Sequence, residues 1–233
     1  MIETNGIIAP PKDTFALCDN YLMAVARLRA DQHEARQIIL NNTVTILHGN
    51  AGSGKTLAAV YTALELFFHK HLQIKTSCCI DNIVVCVPIA DNDELGFLRG
   101  TLSEKLEPRV AAVKAMVKKL CPIKDFTTSI NRALNYYAIS HIRGLTFENS
   151  IVIIDEAQNA THSQIKLILS RLGKNSKLVI CGDENQIDLK DPSLTGLPFL
   201  KNLNGQIDGF ACYEMKENNR HPIVKDFLYH YSF

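Results

Sequence analysis

The sequence predicts an α/β fold in which a mostly parallel sheet is covered by helices on both faces. Short apolar runs, at residues 44–48, 83–87, 151–154 and 178–181, alternate along the chain with segments of helical periodicity. These runs do not alternate with polar residues, which is typical of parallel strands that are buried on both sides. With 233 residues, of which 46% are hydrophobic, the chain is large enough for one domain with a well-packed core.

The helices predicted between these strands follow from periodicity and from capping residues. Apolar residues recur at helical spacing over residues 14–29, and Asp31 with Glu34 three positions later predicts the start of a second helix. Further helices are predicted over residues 56–70, after Pro108, from a capping box at Thr161 and Gln164 to Gly173, and from Pro222. Residues 1–30 are therefore interpreted as an N-terminal tail and helix, and residues 31–233 as the main domain.

Composition excludes several classes of protein. The formal net charge is +1, so nucleic acid would have to bind through a local basic patch and not through the field of the whole molecule. The seven cysteines include no CxxC pair, which favours a reducing compartment and argues against structural zinc. The sequence shows no secretion signal and no apolar run long enough to span a bilayer. We therefore expect a soluble, cytoplasmic protein that does not insert into membranes.

The strongest motif lies between the first apolar run and the helix that follows it. It has the pattern G-x-x-x-x-G-K-[ST] and consists of Gly49, Asn50, Ala51, Gly52, Ser53, Gly54, Lys55 and Thr56. Glycines let the backbone curl around an anion, and N–H groups at the start of the helix face the phosphates. We expect these eight residues to bind ATP, with Lys55 reaching the β- and γ-phosphates and the Thr56 hydroxyl binding Mg²⁺. A chance glycine-rich turn is the alternative.

Two later apolar runs end in polar residues that suit the same site. The third run ends in Asp155 and Glu156, and ligands of parallel sheets gather at the carboxyl ends of the strands. Asp155 is expected to hold Mg²⁺ through water, and Glu156 to act as the general base for the attacking water; the alternative is a pair of capping acids. The fourth run leads through Gly182 and Asp183 to Gln186. The Gln186 amide would hydrogen-bond the γ-phosphate or position water, unless the segment is a surface turn.

Several motifs, in this order along the chain, resemble those of PhoH-like ATPases. They are GNAGSGKT at 49–56, ELGFLRG at 94–100, RGLTF at 143–147, DEAQNAT at 155–161, GDENQIDL at 182–189 and RHP at 220–222. The resemblance covers nearly the whole chain from Gln32 onward. It implies a single RecA-like P-loop NTPase domain, related to the first motor domain of superfamily 1 helicases, and a divergent phage-type member of the family. It also implies that the Gln32 amide reads adenine; an ordinary exposed residue of the first helical turn is the alternative.

The chain departs from the family pattern at two positions. Val87 stands where relatives usually have arginine, and Arg99 stands where they usually have proline. The first departure removes a cation near the expected site, so the electrostatics of the site differ from the family pattern.

Efficient hydrolysis also needs a cation near the γ-phosphate in the transition state, which typically contributes about 10³–10⁵-fold in rate. The resemblance points to Arg220 for this role, with Arg143 as the second candidate. The chain is too short to contain the second motor domain that supplies this arginine in helicases. We therefore expect Arg220 to act in trans within a homo-oligomer, such as a closed hexameric ring. The alternative is that Arg220 binds a local carboxylate.

Positive charge is concentrated around the helix predicted after Pro108, and this leaves several functions open. The residues are Lys105, Arg109, Lys114, Lys118, Lys119 and Lys124. They form either a solvated helix face or a contact for single-stranded RNA or DNA, although no aromatic residues interleave with them. The leading hypothesis is an ATPase. The alternatives are a nucleic-acid helicase or remodelling motor, an ATP-binding assembly or regulatory module with negligible turnover and, fourth, a small-molecule kinase.

Overall fold

The computed structural model describes residues 28–71, 80–89, 102–121, 124–217 and 223. Within these ranges the strands are β1 (Val44–His48), β2 (Asn82–Val87), β3 (Leu134–Ala138), β4 (Ser150–Ile154), β5 (Lys177–Gly182) and β6 (Phe210–Glu214). The helices are α1 (Ala30–Asn41), α2 (Lys55–His71), α3 (Leu102–Leu120), α4 (Lys124–Ala133), α5 (His162–Leu169) and α6 (Leu197–Asn202). The helix predicted from Pro222 and the motif at 94–100 lie outside the described residues, as does nearly all of the helix predicted over 14–29.

The strands form one sheet in the order β3-β2-β4-β5-β1-β6, and every pairing between them is parallel. The predicted α/β class is confirmed, and the described sheet is fully parallel where a mostly parallel one was expected. Strand β5 lies between β1 and β4. Because parallel strands end at the same edge, the carboxyl ends of β1, β5 and β4 lie side by side.

The core consists of two apolar layers, one on each face of the sheet. Leu47, Ile153 and Val179 face helices α1, α2 and α3 in one layer. Ile46 and Ile180 face helices α5 and α6 in the other layer. Successive residues of each strand therefore enter opposite layers, and both layers are apolar. This arrangement explains why the strands are uninterrupted apolar runs in the sequence.

Helix α3 begins earlier than predicted. The sequence predicted a helix after Pro108, whereas α3 starts at Leu102 and contains Pro108. The reason is that Leu106 is buried with Val110 in a small apolar cluster, so the apolar stripe of the helix extends to the N-terminal side of the proline. In the described part of the chain, no helix combines the length and the apolar character needed to cross a bilayer.

Two capping predictions have different outcomes. The capping box at the start of α5 is confirmed, because Gln164 N donates to Thr161 Oγ1 at 3.3 Å and Thr161 N donates to Gln164 Oε1 at 3.1 Å. The helix ends at Leu169 and not at Gly173. Gly173 N donates instead to Phe147 O, at 2.7 Å, on the segment that leads into β4.

The cap predicted for α1 is wrong. The helix begins at Ala30, and Arg29 is its N-cap residue. Gln32 takes the role expected of Glu34, because its Oε1 accepts a hydrogen bond from Arg29 N at 3.1 Å. Glu34 accepts a hydrogen bond from the Tyr213 hydroxyl at 2.8 Å instead.

Strands β3 and β6 and helices α4 and α6 were not predicted. The two strands lie at the edges of the sheet and are only partly buried. Edge strands tolerate polar side chains, and here residues such as Asn135 and Glu214 interrupt the apolar pattern. Helices α4 and α6 are short, at 10 and 6 residues, so they complete too few turns to give a clear periodicity.

A buried lysine connects strand β5 to the end of helix α1. Lys177 is 8% exposed, and its Nζ donates to Ile39 O at 3.0 Å, to Leu40 O at 2.9 Å and to Asn42 O at 2.7 Å. The last carbonyls of a helix have no partner within the helix, and they carry the negative end of its dipole. Lys177 therefore supplies both the donors and the charge that this helix end requires.

The substitution Lys177→Met is expected to lower the free energy of unfolding by about 2–4 kcal/mol, because three partly buried carbonyls lose a charged donor. Urea denaturation monitored by circular dichroism would measure the change in midpoint. The control is Lys174→Met, at an exposed position close in sequence, which should change stability by less than about 0.5 kcal/mol. Equal midpoints for Lys177→Met and wild type would contradict this role.

Candidate active site

The glycine-rich loop follows β1 directly and leads into α2. Gly49 and Gly54 have φ angles of 135° and 88°, a region that disfavours residues with a Cβ atom. A Cβ atom at Gly49 would lie 2.3 Å from Met215 O, and one at Gly54 would lie 2.2 Å from Gln32 Nε2. The loop therefore requires glycine at both positions for its backbone shape, and at Gly49 also because the Met215 backbone leaves no space for a side chain.

Lys55 holds the loop in a closed shape. Its side chain is 8% exposed, and Nζ donates to Gly49 O at 2.6 Å and to Asn50 O at 3.0 Å. Ser53 Oγ lies 3.4 Å from the same nitrogen. The ammonium group therefore lies inside the curve of the loop, where an anion held by the loop would meet its positive charge.

Asp155, at the end of β4, meets the start of α2. The Thr56 hydroxyl donates to Asp155 Oδ1 at 2.7 Å. Burial raises the pKa of the Asp155 carboxyl and the charge of Glu156 raises it further, whereas the hydrogen bond from Thr56 lowers it. The Thr56 hydroxyl and the Asp155 carboxylate are oxygen ligands of the kind that Mg²⁺ prefers. The pair therefore has the chemistry to hold Mg²⁺, which Thr56 would bind directly and Asp155 through water.

Glu156 lies next to Asp155 in an unusual backbone conformation. Its φ and ψ angles are 54° and 42°, in the left-handed region, and it precedes a short 3₁₀ turn, Ala157–Asn159. Such a conformation is uncommon outside glycine and often marks a functional position. The Glu156 side chain is exposed, and its Oε2 accepts a hydrogen bond from Gln158 Nε2 at 2.7 Å.

The loop after β5 contacts the tip of the glycine-rich loop. Asp183 is 5% exposed, and its Oδ2 accepts a hydrogen bond from Ala51 N at 2.6 Å. Asn185 Nδ2 donates to Asn50 Oδ1 at 3.1 Å. No role was assigned to Asp183 or Asn185 from the sequence, although the Gly-Asp pair after an apolar run was the available signal.

These elements enclose a cleft of about 200 Å³. Its lining includes Lys55, Thr56, Asp155, Glu156 and Gln186, all of which the sequence assigned to one site. Gln186 is exposed, and its backbone N donates to Asp183 O at 3.0 Å. The fold thus brings the loop, both carboxylates and the Gln186 amide to one opening at the carboxyl edge of the sheet.

A family profile described as PhoH-like protein matches residues 24–232, nearly the whole chain. The chain belongs to the PhoH-like family. Among curated relatives, the PhoH-like protein of Bacillus subtilis (strain 168) is 32% identical over 205 residues, which cover 86% of this chain and 62% of the relative. Protein PhoH of Escherichia coli (strain K12) is 32% identical over 205 residues, covering 84% of this chain and 52% of the relative. The chain thus spans between half and two thirds of the length of these relatives.

The chain also shares its fold with a solved helicase. The crystal structure of the DUF1998 helicase MrfA bound to DNA aligns with a TM-score of 0.50 and 11% sequence identity, covering 90% of this chain and 30% of that one. At this identity the likeness shows the fold alone. The two curated relatives are bacterial proteins and give no support to the expectation of a phage-type member.

Gln32 lies beside the glycine-rich loop and is not the exposed residue of the alternative interpretation. It is 2% exposed, and its Nε2 is buried without a hydrogen-bond partner among the described residues. Arg29 Nη2 donates to Ser53 O beside it, and Arg29 Nε donates to Glu217 Oε2 at 2.9 Å. A buried amide nitrogen without a partner costs free energy, so a ligand that accepts its hydrogen bond would be favoured there.

Val87 belongs to the core. It is 6% exposed and packs with Ile89, Leu106 and Ala138. An apolar side chain is what this environment requires, since an arginine there would need a buried partner for its charge. Arg99, the other departure, lies outside the described residues.

The structure places only part of the predicted cationic residues. Arg220 lies outside the described residues. Arg143 is exposed, follows β3 at the edge of the sheet and is not among the described residues that line the cleft. Lys118 and Lys119 are exposed on α3, which is compatible with both interpretations of the basic segment.

Lys114, in contrast, is occupied by local contacts. Its Nζ donates to Glu107 Oε2 and lies 5.1 Å from the centre of the Tyr136 ring. Its charge is therefore less available to a partner than the charges of Lys118 and Lys119. The helix contains Lys105 and Arg109, and α4 begins at Lys124, but the side chains of these three residues lie outside the described part of the structure.

Proposed function

We propose that this PhoH-like protein hydrolyses ATP with the help of Mg²⁺. The observation that carries the proposal is the cleft in which Lys55, the Thr56–Asp155 oxygen pair and the carboxylate of Glu156 meet. A site that only bound nucleotide would need the loop and the metal ligands, but it would have no use for a second carboxylate. The adjacent Glu156 therefore favours hydrolysis over a regulatory module with negligible turnover.

Each residue of the cleft would have its own role in the proposed hydrolysis. Backbone N–H groups of residues 49–56 and the Lys55 ammonium group would hold the phosphates. Thr56 and Asp155 would hold Mg²⁺, which supplies charge neutralisation at the phosphate oxygens. Glu156 would accept a proton from the attacking water, and the Gln186 amide would hydrogen-bond the γ-phosphate or the water.

The environment of Asp155 fits the binding of a cation. Burial and the neighbouring carboxylate oppose its ionisation and raise its pKa. A divalent cation reverses this balance, because it favours the charged form of an adjacent carboxylate. The site is therefore better suited to Asp155 with a metal ion than to an isolated buried carboxylate.

Release of ADP and inorganic phosphate by the purified protein is the direct test. ATP and Mg²⁺ should be converted to both products without any added acceptor, which also distinguishes hydrolysis from phosphoryl transfer by a small-molecule kinase. Tight ATP binding without phosphate release would contradict hydrolysis and support the regulatory module. The reaction suits the cytoplasm, which supplies ATP.

We assign recognition of the adenine base to Gln32. Its buried Nε2 has no partner in the described part of the chain and lies against Gly54, so it could donate to adenine N7. The substitution Gln32→Leu is expected to weaken ATP binding by about tenfold, the value of one buried hydrogen bond. The same variant should bind 7-deaza-ATP, which lacks N7, as well as wild type does. Titration with both nucleotides measures this, and an equal loss for both would contradict the assignment.

A nucleic-acid-stimulated motor is the second candidate function. The exposed Lys118 and Lys119 on α3 favour it, as does the fold shared with a DNA-bound helicase. Single-stranded RNA or DNA should then raise the ATPase rate at low salt, and moderate salt should reduce the effect because phosphate contacts release counterions. A rate that is unchanged by either nucleic acid would remove this candidate.

For the transition-state cation we propose Arg220 of a neighbouring subunit. The cleft of one chain is lined, within the described residues, by one cationic side chain, Lys55. A head-to-tail ring, with six subunits as one arrangement, would bring an arginine from the next chain to each cleft.

A further inference from the structure

Gln158 is a buried amide that joins two elements of the cleft. It lies in the 3₁₀ turn after Glu156 and is 1% exposed. Its Nε2 donates to Glu156 Oε2 at 2.7 Å, and its Oε1 accepts from Asp183 N at 3.0 Å. The side chain therefore connects the carboxyl end of β4 to the carboxyl end of β5.

The space for this contact is provided by a glycine. A Cβ atom at Gly182 would lie 3.3 Å from both Gln158 N and Gln158 Oε1, and 2.6 Å from Leu197 Cδ2. Any larger residue at the end of β5 would therefore displace Leu197 or the Gln158 amide. The requirement for glycine here comes from packing.

The connection continues to the phosphate-binding loop. The Asp183 carboxylate accepts from Ala51 N at 2.6 Å and from Asn185 N at 3.0 Å. The side chain of Gln158 and the residue Asp183 thus link Glu156 to the tip of the loop. The chain of hydrogen bonds runs from Glu156 through Gln158 to the Asp183 backbone, and from the Asp183 carboxylate to Ala51.

We propose that Gln158 is a positioning residue, which holds the Glu156 carboxylate for water activation and makes that position depend on the conformation of the phosphate-binding loop. The inference rests on the proposed ATP hydrolysis. An amide of this length has a donor for Glu156 and an acceptor for the Asp183 N–H. Glutamate would lack the donor and repel Glu156, and leucine would lack both groups. The Glu156 side chain is exposed, so the hydrogen bond from Gln158 restricts its orientation.

Steady-state kinetics of Gln158→Leu and Gln158→Glu test this role. We expect kcat to fall by roughly 10- to 100-fold, a part of the 10²–10⁴-fold that a positioned base contributes. Affinity for ATP, measured with a fluorescent analogue, should stay within about threefold, because no phosphate contact is lost. The matched control is Gln164→Leu, which removes another buried amide, one that donates to Ile89 O and not to Glu156. It should lower stability and leave kcat unchanged.

A double-mutant cycle separates positioning from a general structural effect. If Gln158 acts through Glu156, adding Gln158→Leu to Glu156→Gln should cause little further loss of kcat. Losses that add fully, or an unchanged kcat in the single variants of an active enzyme, would overturn the proposal for Gln158 and leave the ATPase proposal intact. An inactive wild type that still binds ATP would overturn the ATPase proposal, and Gln158 with it. Should Gln158→Leu fail to fold, Gln158→Glu, which has the same shape, provides the same comparison.

Discussion

Glu156→Gln is expected to lower kcat for ATP hydrolysis by about 10²–10⁴-fold while the affinity for ATP stays close to that of wild type. The amide has the shape of the carboxylate but cannot accept the proton of the attacking water. The Lys55 and Thr56 contacts are untouched by the change. Phosphate release under saturating ATP and Mg²⁺, together with equilibrium binding of a fluorescent analogue, measures the two quantities.

A matched control for this substitution is Glu148→Gln. Glu148 is exposed and precedes β4, at the opposite edge of the sheet from the cleft. The substitution Glu148→Gln removes the same charge from the protein and should leave kcat unchanged. A Glu156→Gln protein that hydrolysed ATP at the wild-type rate would exclude Glu156 as the general base.

Lys55→Ala is expected to weaken ATP binding by about 10- to 100-fold, equivalent to one charge-assisted hydrogen bond of roughly 1.5–3 kcal/mol. The loss in kcat/KM should be larger, because charge on the γ-phosphate oxygens in the transition state loses its nearest cation. The bonds from Lys55 to Gly49 O and Asn50 O also disappear, so the empty loop should become less ordered. Lys119→Ala, at an exposed position, is the control that should retain both binding and turnover.

The Lys55→Ala protein also tests whether Arg220 acts in trans. Mixed with Arg220→Ala under conditions of subunit exchange, it can supply an intact arginine to a neighbouring intact phosphate-binding loop. Activity above the sum of the separate proteins is the expected result. If the mixture gains nothing, or if the active wild type is a monomer by light scattering, then Arg220 does not act between subunits.

The sequence was sufficient to predict the parts of the site that are formed by residues close together along the chain. The glycines, Lys55 and Thr56 follow one another along the chain, and an apolar run delivers Asp155 to the end of a buried strand. The parallel sheet then brings both segments to one edge, which is why Thr56 and Asp155 could be assigned to the same site before their 2.7 Å hydrogen bond was known.

The roles of Asp183 and Gln158 could not be predicted from the local sequence. Their contacts depend on β5 lying between β1 and β4, and strand order is a property of the whole sheet. The hydrogen bond from Ala51 N to Asp183 joins residues that are 132 positions apart in the chain, so no local sequence pattern predicts it. The edge strands β3 and β6 were missed for another reason. They are partly exposed to solvent, so polar and apolar residues are mixed in their sequences.

Strand β5 supports two regions that we propose bind different parts of a nucleotide. At the amino end of the strand, Lys177 donates hydrogen bonds to the last turn of α1 and anchors it. At the carboxyl end, Asp183 accepts a hydrogen bond from the phosphate-binding loop. The first turn of α1, about 12 Å from the anchored turn at 1.5 Å per residue, carries Gln32 beside that loop. The distance between Gln32 and the phosphate-binding loop is thus set by a frame of one strand and one helix. Mutations far from any ligand, at the base of that frame, can therefore alter which nucleotides fit.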